Sequence, residues 1–534
     1  MRKIIAAAIV ASLALMAHAS ATPTDAGAIA GRARADRVAN PIITPATGGR
    51  GQASGGLRYD VTQFGYQEKE YLFEGTAKTY PPADLPDAPY RSRMIVWTPT
   101  DPSRFNGTTV VEWAEVSDFG KYELTIEVNY QAPMLEEKGF AFVLVSAERR
   151  GICDTDANGC VPTSLKAVDP QRYGSLEHPG DAYSFDIFNQ AMQAIKHPQG
   201  SAPLGTLESR IIIAEGFQRS ADKYSVDRAP VAATADEPFS IYGPLNAYLA
   251  SGADEDAQLA DAFLIDASAP AVEPARYRVP TLHHLDESAI RRKPTPDSKN
   301  HVTWEIAGAP HADRWAGDHA RPPSSATPKP KLARQEEEAR RDEVDDMSLE
   351  PDAGATTCLP TAGTGDVFPR RYTLNAALIA LRHWVKTGDP APAAPRVKRV
   401  GPTPTDASKK LARDRDGNAI GGLRSPIIDV PVATYNGEFC ISAGITTPLP
   451  PERLADLYPT HKAYVKELLE ATNKAVAEGF LLCHDAETIM GKASELTIGG
   501  PDTFAATPKC TRQSDRAGDE RPAARASEIP EEHE

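Results

Sequence analysis

The chain has 534 residues, of which 41% are hydrophobic and 25% are charged, and its formal net charge at pH 7 is -15. This apolar content is sufficient for a large core, which indicates a globular protein. The excess of acidic residues argues against nucleic acids and anionic membranes as partners.

Residues 1–21 have the pattern of a secretory signal peptide. Arg2 and Lys3 precede an apolar run over residues 4–16, and small residues suited to cleavage follow up to Ala21. The run is too short to span a membrane, and no later apolar stretch approaches 18 residues. We therefore expect export to the periplasm or beyond, with no membrane span.

The segment that follows begins with irregular sequence and continues with alternating strand and helix patterns. Residues 22–56 are rich in Ala, Gly, Pro and Thr, which predicts a flexible lead-in. Short β-prone pieces cover residues 57–99. Strand patterns at 108–116 and 139–146 flank a helical pattern at 124–138. Strands that alternate with helices predict a parallel sheet with right-handed crossovers.

The same alternation continues along the rest of the chain. Further helices are predicted at 181–197 and 375–386, and further strands at 211–214, 262–265, 279–282 and 302–306. The fold class is α/β, a mostly parallel sheet flanked by helices, with an N-terminal β-rich lead and a helical C-terminal extension. We place one domain over residues 57–510, with a charged surface insertion without an apolar face at 321–352 and a disordered tail at 511–534.

All six cysteines follow the export signal, and an even number of cysteines in an oxidising compartment indicates disulfides. Cys153 and Cys160 close a loop of eight residues, and the loop-entropy model gives such a bridge about 2.5 kcal/mol. The sequence leaves open how the other four pair, namely Cys358, Cys440, Cys483 and Cys510. The cysteines show no C-x-x-C spacing and the chain no Gly-rich phosphate loop, so we expect no metal or other cofactor.

Residues 211–221 combine a buried strand, a tight turn and the start of a helix. In α/β-hydrolases such a turn carries the nucleophile and is called the nucleophile elbow. The usual pattern there is G-x-S-x-G, but Gln218 follows Gly216 at the Ser position. Positions two before and two after the apex must be small, which Gly216 and Ser220 satisfy around Gln218. With Ser220 at the apex, the large Gln218 and Asp222 would take those places. Gln218 is therefore the apex, and Ser220, which suits a first helical turn, is a fallback nucleophile.

The sequence resembles bacterial exported α/β-hydrolase-domain proteins whose elbow has the motif G-x-S-Q-S-A. The matching stretches besides the elbow are VVEWAEVS (110–117), GFAFVLVSAERRG (139–151), DPQRYGSLEHPGDAYSFDIFNQA (169–191), WEIAGAPHAD (304–313), DGNAIGGLRSPIIDVPVA (416–433) and LYPTHKAYV (457–465). The resemblance runs from about residue 57 to residue 510. It implies an α/β-hydrolase fold and a carboxylic-ester hydrolase that works through an acyl-enzyme.

The departures from the family lie on the catalytic residues. The Ser and Gln of the family motif are Gln218 and Arg219 here, and a T-E-x-D pattern becomes residues 286–289, so that Ala289 replaces its final Asp. The resemblance assigns His311 as the catalytic base.

The acid that would orient His311 has three candidates in the sequence. Glu287 and Asp286 follow a predicted strand, and Asp266 is a fallback at the end of another. Unless Asp286 or Glu287 takes the place of the acid lost at Ala289, His311 would be poorly oriented.

The oxyanion hole requires the backbone N–H of Arg219 and a second one from the loop after Val145, which contains Ala147. Two functions therefore remain open. The chain is an ester hydrolase with a degraded triad, or an inactive homologue that binds a small ligand or a partner through the inherited pocket.

Overall fold

The computed structural model describes residues 38–80, 84–116, 123–156, 159–217, 259–266, 277–291, 296–315, 331–344, 366–400, 410–438, 444–502 and 504–510. Its strands, in chain order, are β1 Ile42–Pro45, β2 Tyr66–Ala77, β3 Ala88–Pro99, β4 Thr108–Trp113, β5 Glu115–Val116, β6 Glu123–Leu124, β7 Ala141–Val145, β8 Thr155–Asp156, β9 Gly159–Cys160, β10 Gln199–Gly200, β11 Ile211–Phe217, β12 Ala262–Asp266, β13 Thr281–Leu285, β14 His301–Glu305, β15 Arg399–Val400, β16 Lys410–Leu411, β17 Ala433–Asn436 and β18 Ile445–Pro448.

The described α-helices are α1 Glu127–Lys138, α2 Arg149–Cys153, α3 Leu165–Val168, α4 Pro170–Tyr173, α5 Ser184–Lys196, α6 Arg334–Val344, α7 Arg370–Thr387, α8 Pro426–Asp429, α9 Pro451–Leu457, α10 His461–Ala477 and α11 Cys483–Glu495. The described 3₁₀ turns are Val61–Phe64, Pro102–Arg104, Asp181–Tyr183 and Ala289–Arg291.

The central sheet has ten strands in the order β10-β1-β2-β3-β7-β4-β11-β12-β13-β14. The six strands from β7 to β14 in this order are all parallel, and β3, β2 and β1 extend them in antiparallel fashion. The predicted α/β class with a β-rich N-terminal lead is therefore confirmed.

The inner strands are apolar on both faces because helices cover both faces. In β7, Phe142 and Leu144 belong to the core beneath α1 and α7, whereas Val143 and Val145 belong to the core beneath α5. This alternation within one apolar run explains why the strand patterns in the sequence show no polar face.

The beginning of α1 differs from the prediction of a helix over 124–138. The carboxylate of Glu112, at the end of β4, accepts hydrogen bonds from the backbone N–H groups of Ile126 (2.7 Å) and Val128 (3.1 Å). A capping group from a neighbouring strand thus determines where the helix begins, and the local sequence does not contain it.

The predicted flexible lead-in over residues 22–56 contains a strand that the prediction did not include. Ile42–Pro45 forms β1, which pairs with β2 on one side and with β10 on the other. Ile43 is only 1% exposed. Pairing with two other strands orders a segment that carries no periodic pattern of its own.

In the charged insertion over residues 321–352, the described residues 331–344 contain the helix α6. It has no apolar face, as predicted, but it packs against the rest of the protein through its cations. The guanidinium of Arg341 lies 4.8 Å from the ring centre of Tyr59 and 4.7 Å from that of Phe64. Its Nη2 also lies 3.7 Å from a carboxylate oxygen of Glu136. Cation–π contacts and ion pairs therefore take the place of an apolar stripe.

Two disulfides lie within the described residues. The predicted Cys153–Cys160 bridge is formed across the β8–β9 hairpin, with 4.9 Å between the Cα atoms. Cys483 pairs with Cys510 and ties the end of the described chain to α11, with 5.6 Å between the Cα atoms. Cys358, Cys440 and the predicted tail at 511–534 lie outside the described residues.

Candidate active site

The candidate site lies at the edge of the sheet where the parallel strands end. Loops that follow parallel strands meet at this edge, which is where open α/β sheets place their ligands. The strand β11 ends here at Phe217. The elbow residues Gln218, Arg219 and Ser220 lie outside the described residues, and so does the side chain of Asp266 at the end of β12.

His311 and Asp286 are in contact at this edge. His311 Nδ1 lies 3.1 Å from Asp286 Oδ2, and the Asp286 side chain is 1% exposed. Burial by itself raises the pKa of Asp286, but the hydrogen bond and charge of His311 and the bonds from Ser288 and Ala289 hold that pKa below its usual value. An ionised carboxylate only accepts hydrogen bonds, so Nδ1 carries the hydrogen toward Asp286.

Asp286 also organises the turn that follows β13. Its Oδ1 accepts from the Ser288 hydroxyl (2.6 Å) and from the Ala289 backbone N–H (3.0 Å). One oxygen therefore holds the turn while the other holds the imidazole. Ala289 thus lies beside a carboxylate that already occupies the place next to the His311 ring.

Glu287, the other predicted orienting acid, binds a different group. Its Oε2 lies 2.7 Å from Arg413 Nη2, and its Oε1 accepts from the backbone N–H of Gly308 at 2.7 Å. Burial raises the pKa of Glu287, and the Arg413 cation opposes that rise. The expectation for Glu287 as the partner of the His311 ring is corrected here, because successive residues in a turn direct their carboxylates to different neighbours.

The loop that carries His311 is held from several sides. Gly308 has φ +81°, and a Cβ there would lie 2.6 Å from Ile428 Cδ1, so this position requires glycine. Ala309 O accepts from the Glu287 backbone N–H at 2.9 Å, and Arg370 Nη1 donates to His311 O at 2.9 Å. Arg370 and Arg413 were not identified from the sequence. Arg413 stands three residues before the family-like stretch 416–433, which was the available signal.

The strand order bears on the expected oxyanion donor Ala147, which stays a prediction. Ala147 follows β7, whereas β4 lies between β7 and β11. Because β4 is the strand that pairs with β11 on this side, we expect the loop from β4 into α1 as the alternative source of the second donor. The β5–β6 hairpin forms the described part of that loop, and residues 117–122 between its two strands lie outside the described residues.

A buried ion network ties this hairpin to the loop after β7. Glu123 Oε2 lies 2.7 Å from Arg93 Nη2 and accepts from the Ser146 hydroxyl at 2.8 Å. His178 Nε2 lies 2.8 Å from Ala147 O, and burial lowers the pKa of His178 to about 4, which keeps its ring neutral. These positioning residues were also missed. His178 lies in the family-like run 169–191, which pointed to it without indicating its role.

Three carboxyl groups are fully buried near the end of β11. Glu215 on β11 is directly opposite Glu112 on β4, and Glu127 begins α1 beside them. Burial raises the pKa of Glu112 to about 7 against the opposing backbone hydrogen bonds. Burial, and after it the charge of Glu112, raise the pKa values of Glu127 and Glu215 well above the usual value of a glutamate.

Within the described ranges, no group of three or more His, Cys, Asp or Glu side chains is arranged to hold a metal ion. In the same part of the chain, no helix is long and apolar enough to cross a membrane.

Among solved structures, the chain is similar to esterase Est22, with 10% identity, 43% of this chain and 68% of that chain covered, and a TM-score of 0.23. Across four structures of Est22, the covered share of that protein is between 64% and 68%. The glucuronoyl esterase from Solibacter usitatus shows 10% identity, coverage of 49% and 73%, and a TM-score of 0.23. XC6422 from Xanthomonas campestris, described as an a/b serine hydrolase without lid, shows 13% identity, coverage of 43% and 84%, and a TM-score of 0.21.

The comparison with curated proteins gave no match. The profile of a protein family described as an alpha/beta hydrolase domain matches residues 38–491, which is most of the chain. Because this match extends from β1 into α11, it includes the strand that leads to the elbow, the Asp286–His311 pair and the Arg413 segment. This chain therefore belongs to the alpha/beta hydrolase domain family.

Proposed function

We propose that this chain descends from exported carboxylic-ester hydrolases and binds an ester or its acid product without forming an acyl-enzyme. The proposal is carried by the residue at the nucleophile position, which contrasts with an assembled base half of a triad, with 3.1 Å between His311 Nδ1 and Asp286 Oδ2. Gln218 stands at the nucleophile position in the sequence. An amide side chain is not a nucleophile, whatever base lies beside it.

The chemistry that stops at this point is the first step of serine-hydrolase catalysis. In that step, a serine Oγ bonds to the substrate carbonyl carbon while its proton passes to the histidine Nε2, and the carbonyl oxygen becomes an oxyanion. Gln218 supplies neither the bond nor the proton. His311 and the backbone donors of the oxyanion hole do not depend on residue 218 being serine, so binding of a carbonyl compound is the function that remains.

An active ester hydrolase is the second candidate, and the assembled Asp286–His311 pair favours it. A buried carboxylate that holds an imidazole in one tautomer has a clear use in a working triad. In that case the nucleophile would be Ser220, the fallback position.

Hydrolysis of p-nitrophenyl esters and labelling with a fluorophosphonate probe test the proposal. We expect the unmodified protein to show no labelling and no turnover above that of its His311→Ala variant. Gln218→Ser should gain both labelling and turnover. Turnover in the unmodified protein that is abolished by Ser220→Ala would overturn the proposal in favour of the second candidate.

The compartment and the ligand class belong to the same proposal. Disulfides are typical of an oxidising compartment, and they support export through removal of residues 1–21. The ligand would be a small molecule and not a nucleic acid, since the formal net charge is -15. N-terminal sequencing of the exported protein checks the removal of residues 1–21, and an uncleaved N-terminus would contradict it.

A further inference from the structure

The Glu287 carboxylate is fully buried and accepts hydrogen bonds from three separate segments of the chain. Its Oε1 accepts from the Gly308 N–H in the His311 loop at 2.7 Å. Its Oε2 accepts from the Gly437 N–H at the end of β17 at 2.9 Å. Arg413 donates to both oxygens, with distances of 2.7 Å from Nη2 to Oε2 and 3.4 Å from Nη1 to Oε1.

Arg413 in turn holds the β17–β18 hairpin. Its Nη2 donates to Asn436 Oδ1 at 3.0 Å and lies 3.1 Å from Glu438 Oε2. The hairpin lies directly on the His311 loop. A Cβ on Gly437 would lie 2.1 Å from Ala309 O, so no side chain fits between the two. The His311 loop is therefore enclosed between Glu287 and the β17–β18 hairpin. This hairpin belongs to the C-terminal extension, by which we mean the chain after residue 400.

We propose that Glu287 and Arg413 are positioning residues, which together couple the C-terminal extension to the catalytic base. Asp286 orients the His311 ring, and Glu287, with Arg413, sets where the loop backbone carries that ring. This inference rests on the proposed role of His311 as the base. Its physical reason is that a displacement of a catalytic group by about 1 Å costs as much as a hundredfold in rate.

The first experiment measures the Asp286–His311 contact without requiring any activity. In protein labelled with ¹⁵N-histidine, the His311 Nδ1–H proton, identified by its loss in His311→Ala, should give a downfield resonance. We expect Glu287→Gln and Arg413→Met to remove or broaden this resonance. Arg413→Lys, which keeps the charge but not the two-point contact, should weaken it less.

The matched control is Arg453→Met. Arg453 donates two hydrogen bonds to the Asp416 carboxylate, at 2.7 and 2.8 Å, in the same C-terminal region. Within the described part of the chain it makes no hydrogen bond to the His311 loop. Its loss should leave the His311 resonance unchanged. A resonance that persists unchanged in folded Glu287→Gln and Arg413→Met proteins would overturn the positioning role. If the unmodified protein lacks the resonance, the Asp286–His311 contact itself is overturned, and with it the proposed role of His311 as the base.

The second experiment uses the Gln218→Ser variant, once it is active. Adding Arg413→Met should lower kcat about 10- to 100-fold and change KM by less than about threefold, because the ester-binding surfaces are untouched. Arg413→Lys should recover part of the loss. A fall in stability with kcat unchanged would show a merely structural role.

The third measurement uses the unmodified chain, so it tests the coupling even if the variants fail to fold. The Gly308 and Gly437 amides donate to the same carboxylate, so native-state hydrogen exchange should give them the same opening free energy. Exchange at Gly437 that is more than about 100-fold faster than at Gly308 would show that the hairpin opens without the loop, and would overturn the coupling.

Discussion

At the scale of single residues, the carboxylates of Asp286 and Glu287 are neighbours in sequence and serve different parts of one loop. Asp286 binds the His311 ring, whereas Glu287 binds the Gly308 backbone and Arg413. Since Asp286 already contacts the ring, that contact needs no carboxylate at position 289.

The first prediction separates these two roles in the Gln218→Ser background. Asp286→Asn should lower kcat by about three to four orders of magnitude, because an amide no longer holds the imidazole in the required tautomer. Ala289→Asp should change kcat less than about tenfold, because Asp286 already lies beside the ring. Steady-state kinetics with a p-nitrophenyl ester measures both. An increase of two orders of magnitude or more for Ala289→Asp would mean that Asp286 is not the functional acid.

The second prediction concerns the buried carboxyl group of Glu215. Burial and the charge of Glu112 hold its folded-state pKa well above the usual value of a glutamate, so above that usual value the unfolded chain loses a proton that the folded chain keeps. The free energy of unfolding of the parent should therefore fall relative to that of Glu215→Gln, by about 1 kcal/mol per pH unit, as the pH rises above about 5. Urea unfolding at several pH values measures this difference. Glu137→Gln, on the exposed side of α1, is the control, and equal slopes for both variants would contradict the prediction.

At the scale of elements, charged groups help to position two helices, α1 and α6. The N-terminus of α1 is capped by Glu112 from β4. The helix α6 is held by Arg341, which lies over two aromatic rings and beside Glu136 and Glu337. Burial raises the pKa of Glu136 to about 7, and the Arg341 cation opposes that rise.

The third prediction tests the docking of α6 by hydrogen exchange. Arg341→Met should lower the opening free energy of the α6 amides by about 2 kcal/mol, because it removes two cation–π contacts and leaves Glu136 and Glu337 without their countercharge. Arg334→Met is the matched control on the same helix. Its pair with Glu338 is about half exposed, so its loss should cost less than about 1 kcal/mol. Equal effects of the two variants would count against a specific role for Arg341.

At the scale of the whole molecule, the C-terminal extension shares its core with the sheet. One apolar cluster includes buried residues from both ends of the described chain, from Leu57 near the N-terminal side to Ala493 in α11. The Trp304 ring on β14 meets that of Phe480 after α10 edge to face, with 5.2 Å between the centroids. The extension therefore completes the core beneath the candidate site.

The fourth prediction is that the extension is indispensable for folding. A chain ended at residue 400 should be insoluble or lack near-ultraviolet circular dichroism. Removal of the extension exposes the surface of the core around Trp304. A chain ended at residue 510, which keeps Cys510 and removes only the expected tail, is the control and should keep the full thermal stability. A folded, soluble chain of 400 residues would contradict this description of the core.

The fifth prediction concerns the two disulfides. Peptide mapping without reduction should recover Cys153 joined to Cys160 and Cys483 joined to Cys510. Replacing each pair by serine should lower the free energy of unfolding by about 2.5 and 3.5 kcal/mol, respectively, because the second bridge closes the longer loop. Free thiols at these four positions would disprove the pairings.

The sequence by itself determined the features that depend on near neighbours. Apolar runs and helical periodicity located the main strands and helices, and the short spacing of Cys153 and Cys160 identified a bridge. Each depends on contacts within a few residues, so the local pattern contains the needed information.

Only the tertiary structure decided which groups meet from distant parts of the chain. The choice of Asp286 over Glu287 depends on the direction in which each carboxylate leaves one turn. The strand β4 lies between β7 and β11, an order that differs from the order along the chain. The pairing of Cys483 with Cys510 and the contact of Arg413 with Glu287 join segments whose encounter is set by packing, which no local pattern encodes.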